Sequence, residues 1–421
     1  MRKINIFVAG ILSLLSCSFS SVDSHAAGFA VFAQGGPTFD QADATIAHGD
    51  DPSVIFYNPA LINQIPGTQI QAGTTLIFPI REFKSVLTGQ KTKTESEVFF
   101  PSSFYVTHAV SDRFSVGLGV FYPFGLGTTW PQNWDGRYIA TKSKMTTFAF
   151  NPVASIKLAP WITVAGGITY LTLDATFERN VNLSPLSLPD GTQKLHGTGD
   201  GYGGNLGLLI EPSKDIAVGL SYRSRIHVPI SGDVTFGLPS PGLAALFPNT
   251  GARTSIDLPP QAYAGIFFKQ LYPFTFEIAT RWEGWSTFKE LNVQLDQPVA
   301  GSTASITARN WHDTWAGIIG LKYHINNTVA LLAGYQYSGN AVPNQTFEPA
   351  IPDSNSHYVS IGADIKLKSL NIDLGYGYQI FDKRTKNNTI TDPVTSNPDL
   401  SANGTYNSQV HMIALSLTYR F

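Results

Sequence analysis

Charge is scarce in this 421-residue sequence: only 14% of it is Asp, Glu, Lys or Arg, against roughly 25% in an ordinary soluble protein. A soluble chain of this length would struggle to cover its surface with so few charges. Long hydrophobic runs are missing as well. Past residue 15 nothing approaches the ~20 consecutive apolar residues that a membrane-spanning helix needs, which excludes a helical membrane protein. There is no basic excess, the formal charge being −2, and this argues against a nucleic-acid partner. Cysteine occurs once, as Cys17, so no disulfide framework is available. No Gly-rich phosphate loop follows a strand, no His/Cys/Glu spacing marks a metal site, and no Gly-x-Ser-x-Gly elbow appears. Neither a catalytic residue, a metal nor a cofactor is expected. What the chain does have is 43% apolar residues and 12% aromatics, spread through the sequence and not gathered in blocks. A membrane β-barrel distributes its apolar residues in this way.

The first residues read as an address. Arg2 and Lys3 precede an apolar stretch over 4–15, and small residues follow up to Ala26. This order predicts a secretory signal peptide over 1–26, cut after Ala26. A rival reading is a lipoprotein site at Leu14-Leu15-Ser16-Cys17, although Leu15 just before Ser16 fits that pattern poorly. Under the main reading the mature chain starts at Ala27 and carries no thiol.

Beyond residue 66 the sequence alternates. Within 370–380, Leu370, Ile372, Leu374, Tyr376, Tyr378 and Ile380 share one face, while Asn371, Asp373, Gly375, Gly377 and Gln379 share the other. The segments 216–223 and 358–367 follow the same period of two, as barrel strands in lipid must. Short turns fall near residues 112, 160, 213, 271, 326 and 368. Long irregular connections fall at about 81–97, 125–144, 182–200, 237–255, 296–308, 339–356 and 382–408. Long and short connections alternate along the whole chain. They predict an all-β fold, a 14-stranded antiparallel transmembrane β-barrel over 67–421, with both ends on the periplasmic side of a Gram-negative outer membrane. Closure removes every strand edge, which lipid could not hydrogen-bond. The last strand ends in Phe421, with Tyr419, Leu417, Leu415 and Ile413 on its face. That pattern resembles the signal read by the barrel-assembly machinery. Lipid and lipopolysaccharide then become the expected surroundings of a monomeric barrel.

Residues 27–66 do not alternate. Thr38 with Gln41 reads as a capping box for a helix over 39–48, and Asp51-Pro52 and Asn58-Pro59 each set a capping side chain before a proline. Such short turns cannot build a core alone. They are expected to form a hatch, a small helical plug in the barrel lumen.

Several motifs then resemble the FadL family of outer-membrane channels. They are Ala27-Gly28-Phe29, Asp51-Pro52 with Asn58-Pro59-Ala60-Leu61, Pro123-Phe124-Gly125-Leu126, 134–138, Tyr222-Arg223-Ser224, Leu258-Pro259, 282–288 and the Pro343 region. The resemblance implies a fourteen-stranded barrel with a hatch, importing long-chain fatty acids or aromatic hydrocarbons such as toluene. It implies capture of ligand by the outer loops, where Leu126, Trp130, Leu183 and Leu186 are candidates. It sets Arg179 where fatty-acid members have a head-group arginine, and His312 where they have a lysine. It further implies a kinked third strand, for which Gly117, Gly119 and Pro123 are candidates. The hole behind that kink is expected to be filled by the hatch near Asn58, Pro59 and Ala60. Ligand would displace Ala27, Gly28 and Phe29 and leave sideways into the bilayer. A general porin for polar solutes and an outer-membrane phospholipase are the alternatives.

Overall fold

The computed structural model describes residues 28–269, 271–390 and 399–421. The expected signal peptide, Cys17 and Ala27 lie outside them. A single antiparallel sheet closes on itself as a barrel of 14 strands. Strand β1 (Thr68–Ser85), β2 (Ser102–Ala109) and β3 (Phe114–Phe121, resuming as Gly125–Thr129) lead into β4 (Lys142–Ala159), β5 (Ile162–Val181) and β6 (Gly191–Ser213). Each of the next four has two parts: β7 (Ile216–Arg223, Ile226–Gly237), β8 (Thr250–Leu258, Gln261–Phe268), β9 (Phe274–Glu283, Glu290–Val299) and β10 (Ser302–Ala308, Thr314–His324). Strands β11 (Val329–Ser338), β12 (Ser356–Leu367), β13 (Leu370–Phe381) and β14 (Gly404–Arg420) complete the wall. Closure comes from β14 pairing with β1, from Gln69 opposite Arg420 up to Ser85 opposite Gly404.

Alternation places the apolar face outward, as the sequence predicts. Ile361 and Leu374 are more than half exposed, whereas Asp373 and Ser416 of the opposite face are buried. Aromatic side chains ring the wall at both ends. Trp161, Tyr272 and Phe274 stand at the short-turn end, and Tyr202, Tyr335 and Tyr376 nearer the long-loop end. Two such girdles bound the lipid-facing band of an outer-membrane barrel.

The lumen is filled by residues 28–65. Helix α1 (Gly36–Asp40), helix α2 (Val54–Tyr57) and a 3₁₀ helix (Pro59–Gln64) are all packed inside the wall. The capping box and the 39–48 helix do not form. Thr38 Oγ1 donates to Gly35 O, Gln41 Nε2 donates to Pro37 O, and the helix stops where Ala42 and Asp43 turn to positive φ. The Asn58 cap does form, Oδ1 accepting from Ala60 N at 3.1 Å; Asp51 Oδ1 accepts from Ser53 N at 2.9 Å, but the cap position of the helix is Ser53, which makes no side-chain cap bond.

Wall side chains hold this plug. Glu277 of β9 accepts the backbone N–H groups of Ile46 at 2.6 Å, Ala47 at 3.0 Å and His48 at 3.2 Å. Arg223 of β7 donates to Phe56 O at 2.8 Å and Ile55 O at 3.1 Å. Lys322 and Lys366 reach Asp50, and Arg281 meets Asp43 at 3.5 Å. Where the plug backbone presses closest, the wall has no side chain: a Cβ on Gly219 would stand 1.9 Å from Ile46 O.

Candidate functional site

The first described residues form an arm across the upper lumen. Gly28 sits at φ +60°, and a Cβ there would lie 2.8 Å from both the Trp285 and the Trp311 rings. Only glycine meets both demands. The Phe29 ring lies within a box of Phe124, Trp285, Phe288 and Trp311, with centroids 6.2, 4.6, 6.2 and 5.7 Å away. Beside it lies a cavity of about 60 Å³ whose walls include Leu126, Leu173, Phe177, Ile256 and Phe288, with Arg309 among its few polar groups. The guanidinium of Arg309 is itself paired with Glu348.

Backbone groups of the same arm close a break in β3. Phe121 stands opposite Ala149 and Gly125 opposite Thr146, so residues 122–124 face only 147 and 148. One extra residue makes a bulge that turns the strand inward. Ala30 bridges to Phe124 there, Val31 N donates to Pro123 O at 2.9 Å, and Gly125 N donates to Phe29 O at 2.9 Å. Gln34 Nε2 donates to Tyr122 O at 2.7 Å, and Tyr105 OH donates to Gln34 O at 2.7 Å.

Above the break, the second half of β3 pairs with β4, while toward β2 it makes only scattered contacts. Arg81 Nη1 donates to Gly127 O and Glu95 N to Thr129 O, both at 2.8 Å. The Phe99 ring lies over Gly127, with Cζ 2.0 Å from where a Cβ would be. A second cavity, of about 650 Å³, runs from Gly28, Tyr358 and Met412 in the lumen to Phe99, Phe100 and Lys144 beside this part of the wall.

The outer loop between β11 and β12 anchors the start of the arm. Asp353 Oδ2 accepts from Gly28 N at 3.1 Å and from Ala341 N at 3.3 Å. Burial, the largest influence, raises its pKa from 3.8 to about 7 against the Gly28 N–H bond and the charge of Arg384.

Several sequence-derived candidates take different places. Leu126 lines both cavities. Arg179 lines neither: it lies two residues beyond the lining Phe177 on its strand and donates to Oε1 of the opposite Gln193 at 2.9 and 2.6 Å. His312 also lines neither; its backbone N donates to Ala341 O at 3.1 Å. Trp130 is buried on Trp134, centroids 4.5 Å apart, and donates to Pro349 O. Leu183 packs with Val181 and Phe247 in an outer-loop cluster, while Leu186 is exposed. Gly117 and Gly119 are not the kink. They lie in the regular ladder opposite Thr107 and Tyr105, where a Cβ would press on Ile55 of the plug at 2.8 and 3.0 Å. Pro123 is in the break. Asn58, Pro59 and Ala60 sit lower, with Asn58 Nδ2 bonded to Ile46 O and Leu208 O; residues 29–34 fill the break instead.

The chain's relatives agree with this architecture. The family model for outer membrane transport proteins of the OMPP1/FadL/TodX type matches residues 17–421. The chain belongs to that family. It is 24% identical over 369 residues to a long-chain fatty acid transport protein of Escherichia coli, covering 79% of this chain and 82% of the relative. A Pseudomonas aeruginosa FadL homologue superimposes with a TM-score of 0.84 at 19% identity, over 94% of this chain and 100% of the other. The P. putida toluene transporter TodX gives a TM-score of 0.73 at 14% identity, over 93% and 99%. As a member of the OMPP1/FadL/TodX family, the protein is an outer-membrane transport channel for hydrophobic compounds and not an enzyme.

The aromatic box and Arg309 escaped sequence reasoning. Trp285 and Phe288 lie in a segment that carried the resemblance, but nothing local ties them to Trp311 or to Phe29. Two tryptophans at the interruptions of β9 and β10, Trp285 opening a 3₁₀ turn and Trp311 just ahead of Thr314, were the available signal.

Proposed function

We propose that this channel takes small apolar molecules from outside the cell, holds them where Phe29 now sits, and releases them sideways into the bilayer at the break in β3. One observation carries the reading: the segment that closes the break, residues 29–34, includes the residue whose side chain fills the aromatic box, Phe29. A molecule taking the place of the ring therefore loosens the closure of the wall. Apolar surface gains about 25 cal/mol per Å² on leaving water, so a route that never returns the cargo to water keeps that gain. The apolar cluster of Leu183, Phe247 and their neighbours on the outer loops offers a first contact. The box suits an aromatic ring, and an acyl chain would have to extend into the cavity of about 650 Å³.

Deleting Pro123 leaves two residues opposite two and lets β3 run on unbroken. Uptake of toluene and of oleate would be measured in cells carrying the wild type, the deletion, or no copy. Loss of uptake with an intact barrel is the expected result. Wild-type uptake by the straightened barrel would refute the sideways route.

A further inference from the structure

Three buried donors near the arm meet no acceptor among the described residues: the indole Nε1 atoms of Trp285 and Trp311, and Nε of Arg309. Buried N–H groups nearly always find partners, so three orphans in one neighbourhood need a cause. Trp285 and Trp311 are two of the four rings around Phe29, and both rings also touch the Gly28 position. Arg309 lines the apolar cavity beside Phe29 and lies over the Phe288 ring, 5.8 Å from its centroid. All three are donors: Arg309 is among the few polar groups lining the cavity, and the two indoles belong to the box around Phe29 beside it.

We infer that these donors select the cargo: the site takes an aromatic molecule bearing a neutral oxygen, such as an aryl ketone or ester, over an aromatic acid. The inference rests on the reading that cargo replaces the Phe29 ring. The box fixes the ring, and the orphan donors call for an acceptor next to it. Charge decides the kind of acceptor. Arg309 already has its counter-charge in Glu348, both residues being buried. A second carboxyl, Asp353, borders the arm on its other side. An entering carboxylate would lose its hydration without finding an unpaired cation, which is costly in a site this dry. A carbonyl oxygen loses little hydration and meets donors that are otherwise unused. The competing account is that the indoles donate only to neighbouring ring faces, in which case the oxygen would make no difference.

The test is calorimetric titration of the purified full-length barrel in detergent with ethylbenzene, acetophenone and benzoate. The wild type is compared with a Trp285→Phe/Trp311→Phe double variant, which keeps ring shape and removes both N–H groups. Phe29→Ala, which vacates the box, serves as the high-affinity reference. Acetophenone should lose about tenfold in affinity in the double variant, as expected for buried donors that had found an acceptor. Ethylbenzene should stay nearly unchanged, and benzoate should bind the wild type more weakly than acetophenone does. Parallel losses for acetophenone and ethylbenzene, or benzoate as the tightest ligand, would overturn the inference and leave the transport reading standing. Absence of binding by all three, to Phe29→Ala as well, would overturn both.

Discussion

Replacing Glu277 with alanine should unseat the plug without unmaking the barrel. The side chain points inward from β9, and its carboxylate accepts three plug N–H groups, at 2.6, 3.0 and 3.2 Å. None of the strand ladder depends on it, since β9 pairs with β8 and β10 through backbone groups. At about 1 kcal/mol net for each bond, the variant gives up about 3 kcal/mol of seating, or roughly 150-fold in the unseated population. The assay is ion conductance of single barrels in planar bilayers, where an unseated plug appears as large openings. Glu277→Gln should fall between the two. It keeps one acceptor oxygen but turns an NH₂ toward the third donor. Gly219→Val is the positive control, because its side chain must collide with the carbonyl of Ile46. Folding is followed separately by resistance of the barrel to unfolding in detergent. Openings as rare as in the wild type, with the barrel intact and the control leaky, would show that Glu277 does not hold the plug.

Two further outcomes concern the arm. The folded pKa of Asp353 lies near 7, above the 3.8 of a free carboxyl, so the packed state binds its proton more tightly than the open one. Its contribution to arm and loop packing is therefore full below about pH 4 and lost as pH rises through about 7. With Ala30→Cys as the labelling site and each rate divided by that of a free thiol at the same pH, labelling should quicken between pH 5 and 8 in an otherwise wild-type chain and stay flat in Asp353→Asn; equal pH profiles would exclude the role. Gly28→Ala should speed the same labelling at least tenfold, since it adds about 1 kcal/mol of left-handed backbone strain to a clash with two indoles. An unchanged rate would mean that the arm docks without this turn.

The barrel was legible because its causes are local. A strand facing lipid must alternate, and the order of tight turns and long loops follows from which side of the membrane each occupies. Segment 370–380 displays this almost without exception, and β13 spans Leu370–Phe381. The site was less legible because its causes are distant. Gly117 and Gly119 look like kink residues in isolation; their true neighbour, Ile55, comes from the plug. The real break needed knowledge of register, since one surplus residue at 122–124 is visible only against Ala149 and Thr146 of the next strand. Arg179 and His312 came from resemblance to family members, and neither lines the cavity; Arg309, which does, is defined by Glu348 and Phe288 in space. The 39–48 helix failed for another reason: the wall, through Glu277, holds 46–48 in a turn with its N–H groups aimed outward from the plug.

Phe29 uses its two halves for different tasks: the ring occupies the box, and the carbonyl oxygen accepts from Gly125 across the break. On the proposed route, sensor and latch are thus one amino acid, with no lever between them to rust or slip. Occupancy by a guest and integrity of the wall must influence each other equally in both directions. On that route a vacant barrel would stay sealed against ions, and the guest's own gradient would be the only drive such a device requires.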